Sequence, residues 1–253
     1  MIRLVDILKE TLQKPKAIFL AGPAGAGKSF ILKSIPILGT FKVINVDDTY
    51  EELLKASGLG MKQKDFTSDQ LSKAAKLMAQ AQKVTTKTYQ DTILEKSNLI
   101  LDGTGASHKV ILKKKEELES LGYDTMMLMI WVSPMTSLQR NMERERSLMP
   151  AIVLRTWRDI NNNIEIYRKA FGNFFILVNN DLKDADISFN SELIKKQFFD
   201  TSKAKGKPKT PEEIEKSKAN IEKLNNDISL LVKKKPSFDT LDSAKSKIKS
   251  FIS

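Results

Sequence analysis

The sequence contains no cysteine and a single histidine, His108. Disulfide bonds, thiolate zinc sites and cysteine nucleophiles are therefore excluded, and histidine-based metal sites or catalytic triads are not expected. Long apolar runs are also missing, since the longest, Met126 to Val132, is far shorter than the roughly 20 residues that cross a bilayer. The opening MIRLVDILKE interrupts its apolar residues with charges, which is not typical of a secretory signal. We therefore expect no membrane association and a cytoplasmic location.

The charge balance is basic. The 253 residues include 42 Lys and Arg against 31 Asp and Glu, a net charge of +11, while 41% of the residues are hydrophobic and sufficient for an ordinary core. Residues 201–253 alone hold 13 Lys and Arg against 7 Asp and Glu. A basic tail allows a nucleic-acid partner, although scattered positive charge is more often a solvated surface.

Short apolar runs alternate with helical patterns over residues 1–200. This alternation predicts an α/β domain of three layers, with a five-stranded, mostly parallel sheet between helices. The predicted strands are 17–21, 41–46, 99–102, 125–132 and 174–178. The predicted helices are 2–12, one from residue 28, 68–96, 107–121, 135–148 and 151–170. Thr67 and Gln70 have the spacing of a capping box for the third of these helices.

The composition changes near residue 200. Residues 201–209, TSKAKGKPK, predict a flexible basic linker between a domain at 1–200 and a helical hairpin at 210–253. The first hairpin helix carries an apolar seam over residues 214–231, formed by Ile214, Ile221, Leu224, Ile228 and Leu231. Such a seam favours either an oligomer or packing of the hairpin on its own domain, and two heptads are too few to decide between them.

The segment GPAGAGKS, residues 22–29, fits the phosphate-binding loop pattern G-x-x-x-x-G-K-[ST] without a mismatch. Glycines let the backbone turn tightly around phosphate, and the following helix adds its positive end. Lys28 is expected to reach the β- and γ-phosphates of ATP, and the Ser29 hydroxyl to join a Mg²⁺ shell. The residues expected to bind the nucleotide are Gly22, Pro23, Ala24, Gly25, Ala26, Gly27, Lys28, Ser29 and Phe30.

The third strand ends in Asp102-Gly103. Motor ATPases typically follow this aspartate with an acidic residue that activates water, so the glycine favours transfer to a substrate over hydrolysis. Asp102 is expected to hold Mg²⁺ through water or to contact the acceptor; a carboxylate that caps the next turn is the alternative.

Asp47 and Asp48 are predicted to end the second strand, on the same side of the sheet as the phosphate loop. A carboxylate there can accept the proton of an attacking hydroxyl, although an aspartate at this place can also cap a helix. Arg140 and Arg144, four residues apart on a predicted helix, share a face that can close over the nucleotide. Surface pairing with Glu143 and Glu145 is the alternative for these arginines.

Together these segments resemble the zeta-toxin and polynucleotide-kinase branch of P-loop kinases, over roughly residues 1–180. The resemblance rests on GPAGAGKS, on NVDDTY, and on LILDGTG followed by a helix and LESLGYDTMMLMIWVSP. The segment RNMERERSLMP is also similar to the R-N-x-x-R…P lid of phage-type polynucleotide kinases. This similarity favours Arg144 as the lid arginine, with Arg140 as its helper.

The resemblance implies a Mg²⁺- and ATP-dependent kinase that phosphorylates a hydroxyl, with Asp48 as general base and Asp47, Asp102 and Thr104 near the acceptor. Two family arginines that contact acceptors are replaced, one by Ala106 and one by Glu51. The acceptor expected first is a nucleotide sugar or another small molecule. A polynucleotide 5′-hydroxyl and a non-catalytic role in nucleotide or nucleic-acid binding are the alternatives.

Overall fold

A computed structural model describes residues 14–61, 66–181 and 211–253. The helix predicted over 2–12 and the linker predicted over 201–209 lie outside these ranges, and the boundaries drawn at 200 and 210 stay predictions. Across the ranges that are described, no helix is both long enough and apolar enough to cross a membrane.

Five parallel strands form one sheet, as predicted, in the order β2-β3-β1-β4-β5. Their bounds are β1 Lys16–Ala21, β2 Lys42–Ile44, β3 Leu99–Asp102, β4 Asp124–Trp131 and β5 Phe175–Asn179. β1 lies in the centre with Leu20 in register with Asp102. This register brings the end of β3 beside the start of the phosphate loop.

Helices cover both faces of the sheet, which explains why its strands are almost continuously apolar. Their bounds are α1 Lys28–Lys33, α2 Val46–Ala56, α3 Ser68–Leu94, α4 His108–Ser120, α5 Pro134–Glu143, α6 Pro150–Phe171, α7 Pro211–Lys233 and α8 Leu241–Ile252. The long helix α3 begins with the predicted capping box, in which Thr67 and Gln70 each accept the other's backbone N–H.

The second strand is shorter than predicted. It ends at Ile44, and Asn45 then caps α2 by accepting the backbone N–H of Asp47 at 2.9 Å. The expectation that Asp47 and Asp48 end the strand is therefore wrong, because both lie in the first turn of α2, where acidic side chains suit the positive helix end.

The C-terminal part is helical, as predicted, but its two helices lie on opposite faces of the sheet. Leu224 and Ile228 of α7 join the core on the α6 face, while Ile248 and Phe251 of α8 join the core on the α1 face. These seam residues of α7 are thus buried within the same chain, and an oligomer through residues 214–231 remains a prediction.

The connection between α7 and α8 covers the outer edge of β5. Asp239 donates its backbone N–H to the carbonyl of Leu177 at 2.7 Å, and its carboxylate accepts the N–H of Leu177 at 3.0 Å. Lys247 of α8 donates to the other carboxylate oxygen of Asp239 at 2.7 Å. We call this set of contacts the Asp239 clasp.

Candidate active site

The phosphate loop joins β1 to α1 and depends on glycine at its turns. Gly25 and Gly27 have φ of +74° and +81°, a region that favours glycine. A Cβ at Gly25 would lie 2.9 Å from both the Cβ of Arg140 and the carbonyl oxygen of Ser137. The loop therefore packs directly against α5, and a larger residue at position 25 would displace it.

Side chains from outside the loop hold three of its successive carbonyls. The Ser137 hydroxyl donates to Ala24 at 2.6 Å, Arg140 donates to Gly25 at 3.2 Å, and the Asn180 amide donates to Ala26 at 2.8 Å. These contacts fix the loop around the start of α1, where the N–H groups of a first helical turn have no partner within the helix.

Lys28 extends from the start of α1 across the loop. Its ammonium donates to the carbonyl of Gly22 at 3.3 Å and lies 3.8 Å from Oδ1 of Asp102. The predicted phosphate-binding lysine and the predicted metal-site carboxylate are therefore neighbours. A lysine at this position can bind the terminal phosphate of a nucleotide, and the carboxylate of Asp102 balances part of its positive charge.

Asp102 is the most deeply buried carboxylate of the site. The Asn45 amide donates to its Oδ2 at 3.0 Å, whereas its buried Oδ1 has no hydrogen-bond partner. Burial raises the pKa of Asp102 to about 6; the ammonium of Lys28 opposes this rise, and the nearby carboxylate of Asp48 adds to it.

These features fit a magnesium ion. Within the described ranges no group of three or more acidic or histidine side chains is close enough to hold a metal. Mg²⁺ in kinases does not need such a group, because one or two protein oxygens and the substrate phosphates suffice. Ser29 and the Oδ1 of Asp102, which accepts no hydrogen bond from the described residues, supply oxygens of this kind beside the phosphate loop.

Asp48 lies in the first turn of α2 and borders the same cavity as Lys28 and Asp102. Burial raises the pKa of Asp48, with a further rise from the carboxylate of Glu51 and a partial offset from the Asn45 side chain. A carboxylate whose pKa is raised toward neutrality is a better proton acceptor than an ordinary aspartate, provided that it stays ionised.

The two predicted lid arginines do not share a helix face. α5 ends at Glu143, and Arg144 has the extended dihedral angles φ −75° and ψ 147°. The chain turns here because Asn141 exchanges hydrogen bonds with the backbone of Leu148. Arg140 and Arg144 nevertheless border one cavity: Arg140 also donates to the carbonyl of Asn180, and Arg144 lies 3.9 Å from Glu51.

Sequence reasoning missed a third arginine. Arg146 is only 7% exposed and donates to Asp47 at 2.7 Å and to Glu51 at 2.8 Å, so it holds α2 against the segment after α5. Its guanidinium also lies 5.6 Å from the ring centre of Tyr50. The available signal was the spacing of Asp47 and Glu51, which are four apart and present two carboxylates on one helix face.

The loop after β3 is held from α6, by residues that were also not predicted. Tyr167 donates to the carbonyl of Gly105 at 2.7 Å, and the Asn163 amide donates to Ala106 at 2.8 Å. The carbonyl of Thr104 in turn accepts the N–H of Gly22 at 3.1 Å. The phosphate loop and the Gly103-Thr104-Gly105 loop are thereby fixed to each other.

One cavity of about 300 Å³ collects most of the predicted site residues. Its lining consists of Pro23, Gly25, Ala26, Gly27, Lys28, Ser29, Asn45, Asp47, Asp48, Asp102, Gly103, Thr104, Arg140 and Arg144. Gly22 and Ala24 belong to the loop but do not line the cavity, because their backbone groups bond to Thr104 and Ser137. Phe30 also lies outside the lining and is 65% exposed. The roles assigned to these residues remain predictions, but their proximity is a property of the fold.

Solved structures of similar fold include a complex described as AvrRxo1-ORF1:-ORF2 with ATP. It has a TM-score of 0.52 at 15% identity, over 97% of this chain and 82% of that one. A structure from the PezAT chromosomal toxin-antitoxin system of Streptococcus pneumoniae matches with a TM-score of 0.44 at 19% identity, over 79% of this chain and 92% of that one. Shikimate kinase from Acinetobacter baumannii matches with a TM-score of 0.36 at 15% identity, over 78% and 99%.

A search of curated protein sequences finds no match. In contrast, the family model described as "Zeta toxin" matches residues 3–174, which is more than half of the chain and includes the sheet up to the start of β5. That span contains the phosphate loop, the three candidate aspartates Asp47, Asp48 and Asp102, and all three arginines described above. On this match, and with the parallel sheet of a P-loop kinase, the chain belongs to the zeta toxin family.

Proposed function

We propose that this protein is an ATP-dependent kinase that transfers the γ-phosphoryl group to an alcohol oxygen of a small acceptor. One observation carries the proposal: a single cavity holds the phosphate loop with Lys28, two carboxylates at Asp48 and Asp102, and two arginines. Phosphoryl transfer needs this combination of phosphate binding, positioned base and positive charge, whereas nucleotide binding alone does not require the base.

The chemical step follows from the positions of these groups. Asp48 accepts the proton of the acceptor hydroxyl, and the oxygen of that hydroxyl bonds to the γ-phosphorus. The bond between the γ-phosphorus and the β,γ-bridging oxygen breaks at the same time, which releases ADP. Lys28, Arg140 and Arg144 counter the negative charge on the phosphates. Ser29 and Asp102 would hold Mg²⁺, which neutralises charge on the β- and γ-oxygens when bound.

The acceptor is proposed to be a nucleotide sugar or another small hydroxyl compound. Glu51, which replaces a family arginine, is engaged by Arg146, and Ala106 offers no charge at the other family position. Both replacements support a site in which this chain contacts its acceptor through residues other than the two family arginines. A cytoplasmic location, where ATP is available, is part of the same proposal.

Substitution of the proposed base tests the function. Asp48→Asn should lower transfer of label from γ-labelled ATP to the acceptor by about 10²–10⁴-fold, the usual contribution of a general base. The dissociation constant of ATP should change by less than about twofold, because the amide keeps the shape of the carboxylate. The matched control is Asp69→Asn, which alters an exposed aspartate in the first turn of α3, away from the cavity.

The acceptor screen should include nucleotide sugars, nucleosides, small metabolites and 5′-hydroxyl oligonucleotides. The proposal fails if label appears only in free phosphate for every compound, or if Asp48→Asn transfers at the wild-type rate. Transfer to oligonucleotides alone, with affinity that falls steeply with salt, would instead establish the polynucleotide alternative.

A further inference from the structure

The single histidine of the chain lies just after the loop that follows β3. His108 is the first residue of α4, and its ring nitrogen Nδ1 lies 3.0 Å from Oδ1 of Asn163 on α6. The amide of Asn163 donates in turn to the carbonyls of Gly105 at 3.3 Å and Ala106 at 2.8 Å. We call these four residues the Asn163 network. The network joins the start of α4 to the loop before it by way of a third element, α6.

The orientation of the Asn163 amide follows from its partners. A backbone carbonyl can only accept a hydrogen bond, so the carbonyls of Gly105 and Ala106 must face the NH₂ group of the amide. The opposite orientation would place oxygen against oxygen and remove a donor from both carbonyls. Asn163 is only 5% exposed, so these protein groups decide its orientation and not water. The Oδ1 atom of Asn163 therefore faces His108.

The proton on the histidine ring follows from the orientation of the amide. Oδ1 of Asn163 can only accept, so Nδ1 of His108 must carry a hydrogen. A neutral histidine ring has one N–H group, which leaves Nε2 without a proton. Protonation of Nε2 adds a charge but keeps Nδ1 as a donor. His108 is thus a donor to Asn163 in both charge states of its ring.

The segment between β3 and α4 depends on long-range contacts of this kind. Ser107 precedes α4, but in the described part of the chain its side chain makes no capping hydrogen bond. Gly105 has a φ of +76°, and a Cβ there would lie 2.8 Å from the Cβ of Ala21 at the end of β1. The segment is therefore packed tightly against β1 on one side and tied to α6 by the Asn163 network on the other.

This segment forms part of the wall of the phosphate cavity. Gly103 and Thr104 border the cavity, and the carbonyl of Thr104 accepts the N–H of Gly22, the first residue of the phosphate loop, at 3.1 Å. The rest of the phosphate loop is held separately, from α5 and from Asn180. A change in the Asn163 network would therefore move the cavity wall at Thr104 more than the turns of the loop that bind phosphate.

We propose that His108 is a positioning residue of this kinase. Its Nδ1–H holds the Asn163 amide in the one orientation that fixes the two loop carbonyls, and the fixed loop holds Thr104 at the phosphate cavity. His108 does not border that cavity and acts through Asn163. This inference rests on the proposed kinase function and adds to it a residue that sets the geometry of the site from outside.

Two substitutions of equal size test the donor. The amide nitrogen of asparagine can take the place of Nδ1, whereas an ionised aspartate has the same shape and only accepts. His108→Asn should keep kcat within about threefold of wild type, and His108→Asp should lower it about tenfold or more, because two oxygens would then face each other. The dissociation constant of ATP should stay within about twofold in both variants, since the phosphate loop keeps its contacts to α5 and Asn180.

A role limited to the start of α4 predicts the opposite order. The first turn of a helix favours aspartate through its negative charge, so a helix-capping role would make His108→Asp the better variant. Transfer by His108→Asp that equals or exceeds transfer by His108→Asn would overturn the proposal. The value of kcat is taken per ATP-binding site, so that a loss of folded protein does not count as a loss of activity.

The matched control is the adjacent pair Lys109→Asn and Lys109→Asp. Lys109 is exposed in the same turn of α4, and its two variants differ by the same single charge. Their kcat values should agree within about twofold, because an exposed charge in water interacts weakly with the site. A Lys109 pair that reproduces the tenfold difference would assign the effect to charge and overturn the role of the hydrogen bond.

The ring of His108 offers a measurement that needs no variant. Because the chain has one histidine, both ring nitrogens are identified without ambiguity after labelling with isotopic histidine. At alkaline pH, where a histidine ring is neutral, long-range proton–nitrogen correlation spectra distinguish the protonated nitrogen from the bare one. We expect the proton on Nδ1. A ring with its proton on Nε2 would overturn the donor role.

Hydrogen exchange tests the positioning of the loop without turnover. The N–H of Gly22, which bonds to Thr104, should exchange about tenfold faster or more in His108→Asp and within about threefold of wild type in His108→Asn. The amide of Leu128, in the centre of the sheet, is the reference for global unfolding and should not change. Unchanged exchange at Gly22 in His108→Asp would overturn the proposal.

These measurements separate this inference from the kinase proposal. Faster exchange at Gly22 in His108→Asp, with no transfer to any acceptor, would support the positioning of the loop and reject the kinase. Asp48-dependent transfer at equal rates in His108→Asn and His108→Asp would leave the kinase function intact and remove His108 from it.

Discussion

The phosphate side and the acceptor side of the site are built differently. The phosphate side is one contiguous loop whose carbonyls are held by α5 and Asn180. The proposed acceptor side is assembled from the first turn of α2 and the end of β3, which are far apart in the sequence. A contiguous loop preserves ATP binding as a unit, whereas a site assembled from several elements can change its specificity by substitutions on any of them.

After Asp48→Asn, the largest effect is expected at the phosphate side. Lys28→Met should lower transfer by about 10²–10³-fold, because it removes a preorganised positive charge from the developing transition state. The measurement is steady-state transfer together with ATP affinity, and Lys33→Met in the last turn of α1 is the control. A variant with near-normal transfer would mean that the loop binds nucleotide for another purpose.

Asp102 lies between the phosphate side and the proposed acceptor side. Asp102→Asn should lower transfer activity while it raises the stability of the fold. Transfer should fall about 10- to 100-fold if Asp102 holds Mg²⁺ through water. The fold should become more stable at pH 7, since burial of the ionised carboxylate is unfavourable and raises the pKa from 3.8 to about 6.

The sign of this stability effect depends on pH. The folded state binds the Asp102 proton more tightly than the unfolded state, so the stabilisation is present below pH about 4 and is lost as the pH rises through about 6. The gain in Asp102→Asn should therefore reach up to about 3 kcal/mol at pH 7 and shrink at pH 4. Urea unfolding at both pH values measures it, and an equal change at both would contradict the raised pKa.

On the acceptor side, Arg146→Met should lower kcat about tenfold and leave ATP affinity unchanged, because α2 would no longer hold Asp48 in place. Arg155→Met, an exposed arginine of α6, is the control. A double-mutant cycle with Glu51→Gln should show coupling, since the two side chains are in contact. Additive effects, or a loss confined to ATP binding, would show that Arg146 does not position the base.

The smallest effect is expected for Arg140→Met. It removes hydrogen bonds to the carbonyls of Gly25 and Asn180, and the dissociation constant of ATP should rise about fivefold, as for the loss of roughly 1 kcal/mol. Gln139→Met on the same helix is the control. A fall in kcat without a change in ATP affinity would show that Arg140 acts through its charge in the transition state and not through these two hydrogen bonds.

The sequence predicts the phosphate side well because its signal is local. Eight consecutive residues, an apolar strand before them and a helix after them specify the loop, and the five parallel strands follow from their apolar runs. Asp48 and Asp102 were also predicted as site residues from their places at predicted strand ends, and both border the cavity. The error at Asp47 and Asp48 arose because β2 ends at Ile44, two residues before the predicted end of this strand, and the Asn45 side chain then caps α2.

The contacts that were missed are long-range. Arg146 pairs with residues 95 and 99 positions earlier, and Asn180 bonds to a loop 154 residues before it. No periodicity within one element indicates such pairs. The placement of α7 and α8 on opposite faces of the sheet was likewise not predictable. The sequence of each helix shows an apolar stripe, but it does not indicate which face of the sheet that stripe packs against.

The Asp239 clasp has a consequence for shortened versions of this protein. Cutting the chain at residue 200 would keep every group proposed to contact ATP but would remove both hydrogen bonds that Asp239 makes to the backbone of Leu177 at the outer edge of β5. Unprotected edge strands can pair with strands of other molecules, which leads to aggregation. We therefore expect a shortened protein that keeps both helices, including Lys247, to aggregate less than one that ends at residue 200.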